Sequence, residues 1–374
     1  MKRNMARVLT IIVLAIVPIW MLITVDVVFS DKENRNMAKF PEVSLKSISD
    51  GSFMSGFETY MADQFPLRNL CISIKTAALR ATGKKKINDV YLAGDDYLIA
   101  TEAVYDDERT DKLIEAVNGF SGRMENVSVN FMLAPNSSYV YEDYLPYGVK
   151  STQGGSISKI KSGLDGSINF IDPSASLIEK KEEGLYYRTD HHWRTKAAYY
   201  AFLDYAKTNN ISPVEYEFYD VTGTFQGTQA SNSGVYKTYE AVSIAVPKDS
   251  VGTYVVNYVN ENITKTSLFD ESRLKEKDKY QVFFGGNYAE VDISTTANTG
   301  RNLMIIKDSF ANCFIPLLTP YYDKIIVIDP RYFYDDIYLI AEINNINEVL
   351  FLYNVNSFLE DNSLTDILAV KKNN

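Results

Sequence analysis

The sequence predicts an α/β protein built on a parallel sheet with both faces covered, and three observations carry that expectation. Short unbroken apolar runs recur in the last third, at residues 303–306, 325–328 and 349–353. Helical spacing fills the gaps between them, over residues 310–318 and 336–345. The same helix-then-strand order already occurs near residues 110–133. Continuously apolar strands separated by helices are what a sheet buried on both sides requires.

In chain order, the first element is an apolar stretch. Lys2, Arg3 and Arg7 precede eighteen uncharged residues, 8–25, before Asp26. That length suits most of a bilayer crossing, and basic residues ahead of it place the N-terminus inside and the bulk of the chain outside. A cleaved signal peptide is the competing reading, but Val28-Phe29-Ser30 is a poor cleavage site. Residues 1–30 are therefore expected to be a cytoplasmic stub and transmembrane signal anchor, and residues 31–374 an extracytoplasmic domain.

Phe53, Phe57, Tyr60 and Met61 recur at helical spacing until Pro66 interrupts the pattern. Val90-Tyr91-Leu92 reads as a strand before the turn Gly94-Asp95-Asp96. A helix is expected from Thr110, capped by that threonine, with Leu113, Val117, Phe120 and Met124 on one face. A strand over 127–133 follows, and the next helix starts at Thr195 with Ala198, Phe202 and Tyr205 inward. Residues 215–299 change character: short β-prone runs at 243–246 and 254–259 lie among Gly, Asn, Asp and Lys, as in a strand-rich insertion.

Composition narrows the function classes. Of 374 residues, 46% are hydrophobic and 23% charged, an ordinary globular balance. The net charge of −10 opposes a nucleic-acid surface, which needs a basic face. Cys71 and Cys313 are the only cysteines. They allow one disulfide, but two buried free thiols are the simpler reading, and they do not make a metal site.

Ser309 lies just past the apolar run 303–306 and opens a helix, where unpaired backbone N–H groups favour a developing oxyanion. An ordinary helix cap with Asp308 explains the same position. Only two histidines exist, adjacent, in Asp190-His191-His192-Trp193. A serine nucleophile needs a base, oriented in turn by a carboxylate, and Asp190 and His192 are spaced to share one side of an extended segment. Surface or structural histidines remain open alternatives. Metal binding is disfavoured, because adjacent histidines diverge, no cysteine is near, and a zinc site wants three or four convergent ligands.

Asp190-His191-His192-Trp193 reads as the signature of the DHHW family. Glu33-Asn34-Arg35, Phe57-Glu58, Asp63-Gln64-Phe65-Pro66-Leu67-Arg68, Val90-Tyr91-Leu92, Phe284-Gly285-Gly286-Asn287 and Ile306-Lys307-Asp308-Ser309-Phe310 accompany it in order. The chain resembles that family over nearly its whole soluble length, and the family is similar to the SGNH-hydrolase-like proteins of alginate O-acetylation. The resemblance implies a three-layer sandwich with a parallel sheet, residues 215–299 as an insertion, and an acetyltransferase acting on a cell-surface or secreted polysaccharide. It gives Asp190 the orienting role, His192 the base and Ser309 the transient acetyl group. It places an oxyanion-hole asparagine at Asn356, with Asn354 as second choice. It further implies a multipass membrane-bound O-acyltransferase that supplies acetyl groups, and no bound cofactor. Lys307 stands where SGNH esterases have a glycine, which puts simple hydrolysis in doubt. A carbohydrate esterase and a non-catalytic polysaccharide-binding or assembly protein are the other readings.

Overall fold

The computed structural model describes residues 16, 19–21, 23–249 and 252–369. Most of the apolar stretch expected to form the anchor falls outside these residues. Among the described residues, no helix is long and apolar enough to cross a membrane.

Contacts divide the chain into two compact units, residues 1–88 with 230–237, and residues 89–229 with 238–374. The smaller unit holds helices α1 (Leu45–Ser49), α2 (Ser52–Asp63) and α3 (Arg68–Ala81). Pro66 separates the last two, because its ring has no N–H to continue the helix. Phe40 meets the faces or edges of Phe53, Phe57 and Tyr60, which explains the helical spacing of aromatics. The motifs around 33–35 and 63–68 are one ion-pair network. Arg35 Nη2 lies 2.6 Å from Asp63 Oδ1, and Arg68 Nε lies 2.8 Å from Glu33 Oε1. The Arg35 bond holds the Asp63 carboxyl down at about 2.

The larger unit carries the sheet. Besides a short antiparallel hairpin of Val90–Leu92 with Leu98–Ala100, its strands in chain order are β1 (Ser128–Ala134), β2 (Asn169–Ile171), β3 (Tyr216–Phe225), β4 (Glu240–Pro247), β5 (Tyr254–Tyr258), β6 (Ile263–Lys265), β7 (Glu290–Thr295), β8 (Asn302–Lys307), β9 (Lys324–Ile328) and β10 (Glu348–Asn354). Eight of them form one mixed sheet in the order β6-β5-β7-β9-β8-β10-β1-β2. From β9 to β2 all pairings are parallel, whereas β7, β5 and β6 add antiparallel at the other edge.

The apolar runs are buried on both faces, as their lack of alternation requires. Met304, Ile306, Ile326, Ile328, Val349 and Phe351 belong to one core. Leu303, Ile305, Ile325, Val327, Leu350 and Leu352 belong to the other. Each such side chain contributes about 1.5–3 kcal/mol on burial. Helices cover both sides. Helices α4 (Asp107–Ser121) and α5 (Gln153–Gly163) pack on the first core through Leu113, Val117, Phe120, Ile157 and Ile160. Helix α6 (Thr195–Thr208) packs on the second through Ala198, Phe202 and Tyr205.

The structure departs from the sequence reading at several elements. Helix α4 begins at Asp107 and is capped by Asp106, whose side chain accepts from Arg109 N; Thr110 is buried inside it. Two further acids in the first turn suit the positive end of the helix dipole, a signal stronger than one threonine. The helix expected over 310–318 is instead two 3₁₀ segments, Ser309–Cys313 and Ile315–Leu318. Pro316 lacks the N–H that a continuous α-helix would need there. Residues 215–299 are strand-rich: β5, β6 and β7 extend the sheet, while β3 and β4 pair only with each other. Both cysteines are free, and Cys71 is exposed rather than buried.

Candidate active site

Ser309 stands at the carboxyl end of β8, the parallel strand flanked by β9 and β10. Its turn is fixed by Asp308, whose Oδ1 accepts from Phe310 N at 2.8 Å and whose Oδ2 accepts from Asn354 N at 2.9 Å. This carboxylate therefore caps the turn and ties it to the end of β10. Ser309 is left as a partly exposed side chain at the rim of a cleft of about 540 Å³.

The segment from Tyr186 to Trp193 folds back on itself, with an antiparallel bridge between those two residues. Trp193 is fully buried, and its Nε1–H donates to Phe310 O at 2.9 Å. One indole thus fastens the histidine loop directly to the serine turn, although 117 residues separate them. The loop has a second anchor in Glu240 of β4. Its Oε1 accepts from Arg188 N (2.9 Å) and Arg194 Nη2 (2.8 Å), and its Oε2 accepts from Thr189 N (2.9 Å) and Thr189 Oγ1 (2.8 Å). Sequence reasoning missed Glu240; a lone acid opening an apolar strand was the available signal. Replacing it with alanine strands the half-buried Arg194 guanidinium, the Thr189 hydroxyl and two peptide N–H groups, so Glu240→Ala is expected to lower stability by about 1–3 kcal/mol. Urea unfolding of the variant beside the parent protein measures this.

The loop delivers His192 to Ser309. His192 Nε2 lies 2.8 Å from Ser309 Oγ, and His192 Nδ1 lies 2.6 Å from Asp190 Oδ1. Asp190 is 3% exposed, and His192 N, Thr228 N and Thr228 Oγ1 all donate to its oxygens. Burial alone would raise its carboxyl. The neighbouring imidazoles and the N–H donors outweigh burial and hold it well below the usual carboxylate range. An ionised Asp190 fixes the His192 proton on Nδ1, leaving the Nε2 lone pair for the serine hydroxyl. Tyr280 stacks on the His192 ring at 3.9 Å and 13°, and its hydroxyl donates to Ser309 O at 3.0 Å. The three side chains singled out by sequence are thus one hydrogen-bonded series opening on a cleft. The ligand-type atoms of Asp190, His191 and His192 lie within 4.8 Å of one another, and both nitrogens of His192 are engaged by Asp190 and Ser309.

The two asparagines expected at the oxyanion hole are elsewhere. Asn354 is 2% exposed; its amide donates to Ala134 O and its oxygen accepts from Asn136 Nδ2 and Asn356 N. The Asn356 amide donates to Thr101 O, and its oxygen accepts from Ala103 N. Both carboxamides join loops to the end of β10, and neither lines the cleft. Of the two asparagines that do line it, Asn312 gives its amide to its neighbour, and that neighbour is Asn287. Its Oδ1 accepts from Lys307 Nζ and Asn312 Nδ2, each at 3.1 Å. With the oxygen held from behind, its NH₂ group has no partner among the described residues and is free for the cleft, as is Ser309 N–H. These two donors suit an oxyanion on a carbon bonded to Ser309. The preceding glycines adopt φ of +80° and +144°, a backbone that favours glycine and makes the close turn into Asn287. That Gly-Gly-Asn turn stood in the sequence as one of the family motifs, without a role assigned to Asn287.

Lys307 also acquires a reason. It is 3% exposed, bonded to Asn287, Asn312 (2.9 Å) and Asp329 (3.3 Å), and burial lowers its pKa. Asp329 is further gripped by Arg331 at 2.6 Å. Arg273, Tyr288 and Tyr332 complete the cleft rim beside Arg331, and Asp278 sits within, its carboxyl raised by burial and by Asp190.

Comparison with known proteins agrees with this arrangement of elements. Residues 150–328 match the family model described as DHHW protein. A DHHW family protein from Eubacterium siraeum is 25% identical, with 76% of this chain and 98% of that chain covered and a TM-score of 0.66. Bacillus cereus PatB1, in a structure with a sulfonyl adduct, is 20% identical over 75% of this chain and 99% of its own, with a TM-score of 0.64. The O-acetyltransferase domain of Pseudomonas putida AlgJ is 11% identical over 74% and 94%, with a TM-score of 0.47. No curated protein matches in sequence.

Proposed function

From the match of residues 150–328 to the DHHW family as premise, we propose that this protein is a serine O-acetyltransferase that esterifies hydroxyl groups of a polysaccharide. The observation that carries the reading is the series Ser309–His192–Asp190, at 2.8 and 2.6 Å, open to the cleft.

The chemistry runs in two halves. His192 Nε2 takes the Ser309 proton as Oγ attacks the acetyl carbonyl of a donor. The oxyanion meets Ser309 N–H and the Asn287 amide, a pair whose loss in comparable sites lowers turnover by about 10²–10³ per donor. The tetrahedral adduct collapses, the bond to the donor's leaving oxygen breaks, and that oxygen takes the proton from His192. A sugar hydroxyl then replaces the leaving group, gives its proton to His192, and attacks the acetyl-serine. Collapse forms the new ester and returns the proton to Ser309. Asp190 stabilises the imidazolium in both halves and keeps its tautomer. Tyrosines 288 and 332 give the rim faces on which sugar rings pack.

The envelope setting belongs to the same proposal. Residues 8–25 anchor the chain with its bulk outside the membrane, the acceptor is a surface or secreted polymer, and a multipass acyltransferase hands acetyl groups outward. The basis is the apolar stretch behind Lys2, Arg3 and Arg7, together with the family resemblance.

The reading is tested with 4-nitrophenyl acetate as donor and a β-1,4-linked oligosaccharide as acceptor. Acetylated oligosaccharide is expected to form in excess of free acetate. Acetate alone would make the protein an esterase, and neither product from a folded chain would leave a binding protein.

A further inference from the structure

His191, the neighbour of the base, takes no part in the steps above, yet it lines the cleft and about one third of its side chain is exposed. Its protonation pattern follows from its partners. His191 Nδ1 lies 2.8 Å from Thr228 Oγ1. That hydroxyl lies 2.9 Å from Asp190 Oδ2 and has one proton to give. Asp190 is ionised and accepts only. Were the hydroxyl proton aimed at His191, an oxygen lone pair would face a carboxylate oxygen at hydrogen-bond distance, a repulsive contact. The Thr228 proton therefore goes to Asp190, and the bond to His191 is made by a proton on Nδ1.

A neutral imidazole with its proton on Nδ1 carries a lone pair on Nε2. Burial, and then the adjacent His192, push the His191 pKa down to about 4, so the ring stays neutral over the working range. Nε2 has no partner among the described residues. The cleft thus holds a fixed hydrogen-bond acceptor next to the base, on a ring 3.9 Å from that of His192. An acetyl ester offers only oxygen lone pairs there and is not attracted. A sugar offers hydroxyl donors.

Resting on the acetyltransferase reading, we propose that His191 Nε2 is the residue that reads the acceptor: it receives a hydrogen bond from a hydroxyl of the incoming sugar and sets which neighbouring hydroxyl faces His192. It is a binding residue of the second half-reaction, whereas Asp190, His192 and Ser309 act in both. On the same rim Asp278 and Arg273 are ionisable groups, and the Gln281 carboxamide, whose amide donates to Asp278, is another neutral acceptor, but the one on an imidazole adjoining the base is His191.

The test separates the two halves. His191→Phe keeps a ring against His192 and removes the lone pair; His191→Gln puts an amide oxygen near the place of Nε2. For His191→Phe, the ratio of acetylated oligosaccharide to free acetate is expected to fall about tenfold, with a matching rise in acceptor KM, the size of one lost hydrogen bond. The 4-nitrophenol burst, which reports acetylation of Ser309, is expected to change by less than about threefold, and His191→Gln is expected to recover most of the ratio. An unaltered ratio in His191→Phe overturns the proposal. So does a burst that falls in parallel with transfer, or a Gln variant as poor as Phe. A parent chain with no burst removes the acetyltransferase reading itself and the proposal with it. Independently of activity, ¹⁵N spectra of the two histidines are expected to show His191 protonated on Nδ1 and bare on Nε2, with Nε2 shifting on addition of the oligosaccharide. A ring protonated on Nε2 overturns the proposal even if a variant fails to fold.

Discussion

Ser309→Ala is expected to abolish acyl-enzyme formation, lowering turnover of 4-nitrophenyl acetate by about 10⁶-fold, the scale seen when a serine nucleophile is removed from an intact site. The side chain is small and partly exposed, and the turn is held by Asp308 and by Trp193 rather than by the hydroxyl. Folding should therefore be unaffected. An aryl sulfonyl fluoride gives a direct chemical readout, since it reacts with a hydroxyl activated by an adjacent base. Mass spectrometry of the treated parent protein is expected to find a single adduct on Ser309, and none in Ser309→Ala. An adduct on another serine, or full turnover by the alanine variant, would end the nucleophile assignment.

The second large effect comes from a glycine that carries no chemistry. A Cβ built on Gly227 would lie 2.3 Å from both Cβ and Oδ2 of Asp190. Its φ is not in the left-handed region, so the need is for close approach and not for backbone freedom. Gly227 N–H donates to Thr189 Oγ1, and Thr228 next to it holds the other Asp190 oxygen. A methyl group there must push the carboxylate away from His192 Nδ1 and lose the tautomer it fixes. Gly227→Ala is therefore expected to lower the burst rate by about 10²–10⁴-fold, approaching the loss seen when the orienting aspartate of such a triad is neutralised. Gly223→Ala, at a position with nothing within 4 Å, is the control and should leave the rate unchanged. Equal rates in the two variants would show that Asp190 tolerates displacement.

Elements whose burial is symmetrical were legible from composition alone. The runs in β8, β9 and β10 contain almost only Leu, Ile, Val, Met and Phe, and such segments fit only strands covered on both faces. The edge of the sheet was less readable. Strands β5 and β7 mix polar and apolar residues, as an antiparallel margin does, and so resemble an inserted ribbon. Helix ends were read by a single capping residue, where Asp106 and the acids after it outweigh Thr110.

Within the site, Asp190, His192 and Ser309 could be found because their residue types are rare or their local positions distinctive: two histidines in the chain, and a serine following a buried strand. Asn287 and Asn354 could not be told apart by such signs. Both are asparagines near the carboxyl end of a strand or turn, and only the partners around them assign their roles. Asn354 is closed in by Asn136, Ala134 and Asn356, while Lys307 and Asn312 hold only the oxygen of Asn287. The glycine position filled by Lys307 likewise reads as a defect in sequence and as a support in space.

The sequence by itself determined the α/β architecture and singled out the serine, histidine and aspartate that the fold brings together, because periodicity and rare functional groups are properties of short segments. Only the tertiary structure decided which side chains share the cleft with Ser309, and how Trp193 and Glu240 hold the histidine loop. Those are set by distances of about 3 Å between residues a hundred or more positions apart or on separate strands, and hydrogen-bond energy is steep in distance and angle while chain separation carries no record of either.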